Sequence, residues 1–326
     1  MAKILVTGGA GYVGSHACKA LALSGHESVV FDNLSRGHTE FVKWGPLEEG
    51  DLLDADRLRE VLKRHLPDAV MHFAALAYVG ESVADPGRYY RNNVLGSLTL
   101  IEQMIMSGTT RLVFSSTCAV YGLPLKMPIT ETTPTNPINP YGRTKLAVER
   151  MLEDFDTSSG LRSVSLRYFN AAGADPDGEI GERHEPETHA IPRAIQSALG
   201  EGDIFEVFGT DYDTPDGTAV RDYIHVEDLA RAHVRAIEYL LQGGETAAAN
   251  LGTGRGTSVK EIIDAVARVS GRSPKVRNAD RRPGDPPVLV ADAARAGDLF
   301  GWAPEYTDID DIVSTAVEWH RLETAR

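Results

Sequence analysis

Short apolar runs recur through the first half of the chain at KILVTG (3–8), SVVFD (28–32), AVMHFA (69–74), RLVFSS (111–116) and SVSLRYF (163–169), each bounded by polar or turn-forming residues. Their length and their lack of strict alternation predict strands buried on both faces. Between them lie amphipathic stretches, HACKALALSG (16–25), DADRLREVLKRH (54–65), YYRNNVLGSLTLIEQMIMSG (89–108) and YGRTKLAVERMLEDF (141–155), which predict helices. Strand and helix alternate, so the pattern predicts parallel βαβ units with helices covering both faces of one sheet.

After about residue 170 the rhythm changes. AAGADPDGEIGERHEPETHAIP (171–192) is rich in Gly, Pro and charge without a clean period. Short predicted helices at 193–199, 226–241, 258–269 and 309–324 are then separated by turn-rich segments such as GTDYDTPDGT (209–218) and RRPGDPP (281–287). The expected fold class is α/β, a doubly wound parallel sheet with a smaller mixed α/β domain. Residues 1–170 plus about 222–252 are expected to form the first domain, and 171–221 with 253–326 the second. The sequence contains no internal repeat, low-complexity tract or flexible linker.

Length supports this division, because 326 residues exceed one ordinary hydrophobic core and a 42% hydrophobic content suffices for two. The excess of 47 acidic over 33 basic residues gives a formal charge of −14. Such a surface repels nucleic acid and anionic membranes, so neither is an expected partner, and an anionic ligand would need local basic residues. The two cysteines, Cys18 and Cys118, have no paired spacing near histidines. They suggest neither a structural zinc site nor a disulfide framework and fit a reducing cytoplasm. MAKILVTGG carries one positive residue and a very short apolar run, so neither a signal peptide nor a transmembrane segment is expected.

VTGGAGYVGS (6–15) places Gly8, Gly11 and Gly14 three apart, between a predicted strand and a predicted helix. In that context the first glycine permits a tight turn, the second lets backbone amides reach a pyrophosphate, and the third packs helix on strand, as in a Rossmann-type sheet. The spacing is one residue longer than GxGxxG. Asp32 ends the next predicted strand. A carboxylate there accepts hydrogen bonds from an adenosine ribose and repels a 2′-phosphate, favouring NAD over NADP; alternatively, Asp32 forms a turn before Asn33. Asp51 follows a third candidate strand, where an acid can meet the adenine.

YGRTK puts Tyr141 and Lys145 four apart on a predicted helix, so a phenol and an ammonium share one face. A phenol with a free pKa of about 10 needs a shift of ~3 units, or ~4 kcal/mol, to ionise near neutrality. One positive charge at ~4 Å in an effective dielectric of ~20 supplies roughly that much. RLVFSSTCAVYG, upstream, offers the hydroxyls of Ser115, Ser116 and Thr117 beyond a strand's carboxyl end, where ligands bind in open α/β sheets. The alternative, that these hydroxyls cap a turn, suits Ser115 best and Thr117 least.

The order of these features resembles the extended short-chain dehydrogenase/reductase family. Within it, VTGGAGYVGSH, FDNLSRG, HFAALAYVGES, NNVLGS, NPYGRTKLAVE, LRYFNAAGA, GTAVRDYIHVEDLA, NLGTGRGTS, RRPGDPP and ADAARA resemble the UDP-galactose 4-epimerases, from residue 3 to about 320. RYFNAAGA and VRDYIHVEDLA are far more specific than a glycine turn.

The resemblance implies a cofactor, NAD, and a UDP-sugar substrate. Tyr141 would take the proton of the sugar 4-OH, Thr117 would bond the same oxygen, and Lys145 would lower the tyrosine pKa and hold the nicotinamide ribose. Cofactor contacts are implied at Gly8, Gly11, Tyr12, Val13 and Gly14, at Asp32 and Asn33, and at Asp51 and Leu52. Others are implied at Phe73, Ala74 and Ala75, at Asn92 with its neighbour Asn93, and at Ser115 and Phe169; by pattern alone Phe73 is core. Arg221 and Arg282 would meet the diphosphate, each with the alternative of a surface ion pair. Asp285 would take the uridine ribose, Phe208 the uracil, and Asn170 the diphosphate or sugar. For helices 89–108 and 141–158, apolar on more than one face, the alternatives are core packing and the implied four-helix bundle of a homodimer.

Three positions depart from the pattern. Ala77 stands where many epimerases carry a cofactor-binding lysine, His189 replaces one of a pair of asparagines near the sugar, and Leu289 stands where a bulky tyrosine closes the sugar pocket in some relatives. His184 and His189 suit no standard helical metal pair and the acids beside them are scattered, so no metal is expected. Three alternatives remain. A 4-epimerase of UDP-xylose or UDP-N-acetylglucosamine differs only in the pocket. A nucleotide-sugar 4,6-dehydratase needs an Asp-Glu pair after the threonine, where Cys118 and Ala119 stand. A non-catalytic redox sensor would tolerate loss of Tyr141 or Lys145, and both are present.

Overall fold

The structure, a computed structural model, describes residues 1–282 and 284–325. Its strands are β1 (Lys3–Thr7), β2 (Glu27–Asp32), β3 (Leu47–Glu49), β4 (Ala69–His72), β5 (Arg111–Thr117), β6 (Arg162–Tyr168), β7 (Asn170–Ala172), β8 (Phe205–Phe208), β9 (Val220–His225), β10 (Ala247–Leu251), β11 (Gly256–Ser258), β12 (Val276–Ala279) and β13 (Val288–Leu289). Its α-helices are α1 (Tyr12–Leu23), α2 (Ala55–His65), α3 (Val79–Ala84), α4 (Pro86–Tyr89), α5 (Gly96–Ser107), α6 (Pro140–Ser159), α7 (Ala190–Leu199), α8 (Val226–Leu241), α9 (Val259–Ser270), α10 (Ala294–Phe300) and α11 (Ile309–Ala325).

Seven strands form one parallel sheet in the order β10-β6-β5-β4-β1-β2-β3. Alternation along each strand decides which helices it meets. Ile4, Val6 and Met71 pack with Ala17 and Leu21 of α1 and with Leu229 and Ile237 of α8. Leu5, Val70, Leu112 and Phe114, one residue out of phase, pack with Leu58 and Leu62 of α2, Met104 of α5 and Val148 and Leu152 of α6. Because both faces are covered, β1, β4 and β5 carry unbroken apolar runs, at 4–6, 69–71 and 112–114.

The remaining elements build a second, smaller core from α7, α9 and α11, with Ile191, Ile195, Ile262, Val266, Val313 and Val317 at its centre. β9 pairs in parallel with β7 and β13 and antiparallel with β11, and β8 pairs with β12. The chain's return to the first sheet therefore begins at α8, not at about 222, because β9 belongs to the second sheet. His225 Nδ1 accepts from the Glu227 amide at 3.1 Å and starts α8 at that point.

The predicted strands β1, β2, β4, β5 and β6 are present with small shifts at their ends. α1 starts at Tyr12 instead of 16, since Gly11 serves as its N-cap. The predicted helix 89–108 is divided by a π-helical stretch at Tyr90–Leu95. β10 reads AAANL and carries too little apolar bulk to be predicted, yet it completes the sheet beside β6. Among the described residues no helix is long and apolar enough to cross a membrane.

Asp222 joins the two sheets' connections. Its fully buried carboxylate accepts from Thr253 N at 2.8 Å, Thr253 Oγ1 at 2.7 Å, Gly254 N at 3.0 Å and Ala291 N at 3.1 Å. Asp222→Ala would leave these donors unpaired, and denaturant unfolding is expected to report a loss of ~3 kcal/mol or more. A loss below ~1 kcal/mol would mean that water substitutes for the carboxylate.

Candidate active site

In the main sheet β1 and β4 are neighbours, while the chain leaves them in opposite directions, so a crevice opens beyond their carboxyl ends. The glycine turn lies there. Gly8 has φ +73°, and a Cβ on it would stand 2.6 Å from Ala74 N; a Cβ on Gly14 would stand 2.2 Å from Gly8 O. Both glycines are demanded by the fold's own backbone. Gly11 differs, because its φ and ψ of −86° and 177° suit any residue and its Cβ would meet only Gly8 O, at 3.3 Å. Its lack of a side chain keeps a cradle open in front of α1. No side chain caps that helix and no acid stands in its first turn. The N-terminal amides are thus directed at the crevice, an arrangement that fits a dinucleotide's pyrophosphate. The Tyr12 hydroxyl donates to Gly173 O at 2.6 Å and Val13 packs into the core, so both offer amides, not side chains.

Asp32 sits at the end of β2. Its Oδ2 accepts from Ala10 N at 3.0 Å and its Oδ1 from Leu34 N at 2.9 Å, which leaves an acceptor site on each oxygen, and burial pushes its pKa up. Asn33 donates to Asp51 Oδ2 at 2.8 Å, tying the ends of β2 and β3 together, whereas Leu52 is buried against the α2–α5 face. Phe73 and Ala74 both donate their amides to Thr7 O, at 2.9 and 3.1 Å, and Ala75 follows them along the crevice edge. The Phe73 ring packs 4.6 Å from His233, as core. Asn92 is half-buried and donates to Asn93 Oδ1 at 2.9 Å. Asn93 is buried and bonds Leu76 N, Leu76 O and Thr144 Oγ1, so it clamps the loop after β4 to α6.

Asn139 caps α6 by accepting from Gly142 N at 2.8 Å, and Pro140 opens it, which puts Tyr141 in the first turn and Lys145 one turn on. Lys145 Nζ, buried, donates to Ser115 O at 2.8 Å and lies 4.8 Å from the Phe114 ring. Ser115 Oγ bonds Tyr168 Oη at 2.6 Å, and Thr117, the last residue of β5, accepts from Ala119 N at 3.1 Å. Phe169 is buried with Val120, Tyr121, Ile129 and Leu146. Sequence spacing suggested that Lys145 draws the Tyr141 phenol down. Burial opposes that pull. Burial raises the phenol well above its ordinary value, Tyr168 adds to that, and the Thr117 hydroxyl opposes it. The same burial lowers Lys145 to about 7, with only the Glu149 carboxylate opposing. Both groups are desolvated, and the ammonium is directed at a carbonyl.

Sequence reasoning missed the polar group beneath this pair. Glu149 accepts from Ser116 Oγ at 2.5 Å and from Arg167 Nη2 at 2.6 Å and Nε at 3.0 Å, and Arg167 also donates to Tyr121 Oη at 3.0 Å. The available signal was its spacing, four residues beyond Lys145 on one helical face.

On the other wall, Arg221 Nη2 pairs with Asp285 Oδ1 while its Nη1 donates to Val220 O at 2.7 Å. The Arg282 guanidinium lies 3.8 Å from the Phe208 ring, and Asp285 N donates to Arg282 O at 3.2 Å, so one turn brings all four side chains together. Leu289 stands beside Arg221 in register and packs against the Phe169 group. Asn170 lies in β7 opposite Tyr223, and Ala77 is exposed. His189 stands at the N-cap position of α7 without a side-chain cap bond, and its Nδ1 lies 2.8 Å from both Glu182 Oε1 and Glu187 Oε1. Although burial lowers its pKa, the two carboxylates raise it to about 10. The acids around His184 and His189 are therefore not scattered: the chain folds them onto one point.

A doubly wound parallel sheet with an uncapped, glycine-led helix at its switch point defines a dinucleotide-binding enzyme. The chain belongs to the NAD dependent epimerase/dehydratase family, whose model matches residues 4–252. It is similar to a UDP-glucose 4-epimerase of Rhizobium meliloti (strain 1021), 59% identical over 318 residues, 98% of this chain and 97% of that protein. The crystal structure of a UDP-glucose 4-epimerase from Brucella ovis in complex with NAD superposes with a TM-score of 0.96 at 55% identity, covering 98% of both chains. A UDP-glucose 4-epimerase from Stenotrophomonas maltophila, with bound NAD and formylated UDP-arabinopyranose, matches at a TM-score of 0.97 and 40% identity, covering 100% of this chain and 99% of that one.

The two glycines make a paired test. Gly14→Ala is expected to destabilise the fold by ~1–3 kcal/mol or more through overpacking. Gly11→Ala is expected to fold within ~1 kcal/mol of the parent but to lose dinucleotide on desalting, measured by absorbance of the released nucleotide. Full retention by Gly11→Ala would remove the cradle.

Proposed function

We propose that this chain inverts C4 of the hexose in UDP-glucose and UDP-galactose, using tightly held NAD. The observation that carries the reading is the Tyr141, Lys145 and Thr117 arrangement at the carboxyl end of β5, in a chain similar over nearly its full length to UDP-glucose 4-epimerases. Bound NAD supplies a reversible two-electron acceptor for C4, so the reaction is redox-neutral overall. The chain's residues do the rest. The amides of the turn at Gly11–Gly14 hold the pyrophosphate and Asp32 the adenosine ribose. Tyr141 Oη takes the proton of the 4-OH and later returns it, with Thr117 Oγ1 orienting the same oxygen. Lys145, fixed by Ser115 O, positions the nicotinamide ribose.

Burial raises Tyr141 and lowers Lys145, so the base needs further positive charge near the phenol when the site is filled. On the substrate side, Arg221, Arg282 and Phe208 hold the uridine diphosphate, Asp285 the uridine ribose, and Asn170 and His189 the region of the sugar. The charged groups at the nucleotide end let the sugar remain loosely held and present either face. Leu289, partly buried against the Phe169 group, sets the width of the sugar pocket.

We also place the enzyme in the cytoplasm, supported by free Cys18 and Cys118. We further propose that it is a homodimer, supported by half-exposed Tyr90 and Leu95 and exposed Met106 along α5 and the π-helical stretch before it. Sedimentation is expected to give twice the 35.3 kDa chain mass, and a monomer at micromolar concentration would overturn the dimer. Tyr141→Phe is expected to keep its dinucleotide while turnover of UDP-galactose falls by at least ~10²-fold, a proton-transfer effect. Near-normal turnover in that variant would remove the assigned base.

A further inference from the structure

Two groups of carboxylates and imidazoles stand outside the catalytic pair, and they differ in what neutralises them. Asp175, Asp177 and Glu179 close on Lys19 Nζ at 2.7, 2.7 and 3.0 Å, so that group contains its own cation. Glu182, His184, Glu187 and His189 bring four donor atoms within 4.8 Å of one another with no lysine or arginine paired to either glutamate among the described residues. His189 Nδ1 lies 2.8 Å from one oxygen of each glutamate, and His184 Nδ1 lies 3.1 Å from Glu182 Oε1 and 3.6 Å from Glu187 Oε2. Both glutamate side chains are buried, at 7% and 9% exposure.

His184 Nδ1 faces the same two carboxylates. The atom is shielded from solvent, in a side chain 21% exposed, and makes no aligned hydrogen bond to either. On losing its proton, a ring nitrogen so placed turns its lone pair toward the point where the other three donors converge. Through Glu182 Oε1 the nitrogen–oxygen separations are 2.8 and 3.1 Å and all four donors lie within 4.8 Å, so small side-chain shifts bring them to the ~3.3 Å between ligands of a tetrahedral ion with bonds of ~2.0–2.1 Å.

We propose that Glu182, His184, Glu187 and His189 bind a divalent transition-metal ion of the zinc type, through Nδ1 of both histidines and one oxygen of each glutamate. Two carboxylates balance the charge of such an ion, and a set of two nitrogens and two oxygens suits Zn²⁺ better than Mg²⁺ or Ca²⁺, which take oxygen ligands.

The position gives the ion a structural task. The segment carrying the ligands is docked on the dinucleotide side of the crevice: the Tyr12 ring meets His184 edge-on at 6.1 Å, Arg36 donates to Glu185 O at 2.5 Å, and His38 Nε2 lies 3.1 Å from Arg183 O. Tyr78, whose buried hydroxyl has no partner among the described residues, packs against both imidazoles at 6.0 and 6.4 Å. A metal there locks residues 182–189 against the first turn of α1, and so against the wall of the dinucleotide cradle.

Elemental analysis of the holoenzyme, purified without chelator and then incubated with Zn²⁺ and desalted, tests this. About one ion per chain is expected, as is the visible ligand-field absorption of a four-coordinate site in protein loaded with Co²⁺. Glu187→Gln and His184→Gln are expected to weaken retention at least ~tenfold with dinucleotide content and circular dichroism unchanged. A chelator is expected to lower the thermal midpoint of the parent but not of the variants. Background metal content together with a featureless cobalt spectrum in the parent would overturn the site, whatever the variants do, and so would variants that hold the ion as the parent does.

Discussion

At the centre of the molecule two backbones pass too closely for a side chain. The chain leaving β4 crosses the turn after β1 so that Gly8 faces the Ala74 amide, and α1 then packs its Gly14 onto the Gly8 carbonyl. β1 and β4 are buried on both faces and cannot withdraw. This contact fixes the depth and direction at which the first turn of α1 enters the crevice. The cradle in front of Gly11 follows from it, and so does the grouping of β2, β3 and β4 ends around the crevice. The family to which the chain belongs is NAD-dependent.

The wall that carries Tyr141 and Lys145 depends on a second constraint of a different kind. Burying Glu149 and Arg167 is costly unless every donor and acceptor is matched, and here Ser116 and Tyr121 complete the set. The pair holds α6 against β5 and β6 at one register. That register sets Lys145 on the Ser115 carbonyl and Tyr141 facing Thr117. Burial is also what dominates the acid–base character of this wall, raising the phenol and lowering the ammonium. Coulombic reasoning from a four-residue spacing points the other way because it omits desolvation, which only the packed structure supplies.

The two halves of the crevice are assembled on different scales. The dinucleotide wall draws on strand ends that lie within one sheet and follow each other in sequence. The opposite wall draws on Phe208, Arg221, Arg282 and Asp285, which meet through a turn and two ion or ring contacts. The segment 182–189 bridges the halves, with Tyr12, Arg36 and His38 gripping it from the dinucleotide side.

By itself the sequence determined the alternation of buried strands and covering helices, the glycine turn, the strand-end Asp32 and the placement of Tyr141 and Lys145 on one helical face. These are local properties, fixed by periodicity and by what each residue's backbone and side chain allow. Only the tertiary structure decided that Gly8 and Gly14 answer to the protein's own backbone whereas Gly11 does not, that β9 leaves the first sheet and β10 completes it, that Glu149 and Arg167 pair, and that two histidines and two glutamates face one point. Each of those depends on atoms brought together from separate segments, or on the removal of water from between them, and neither distance in space nor dielectric environment is written in the order of residues.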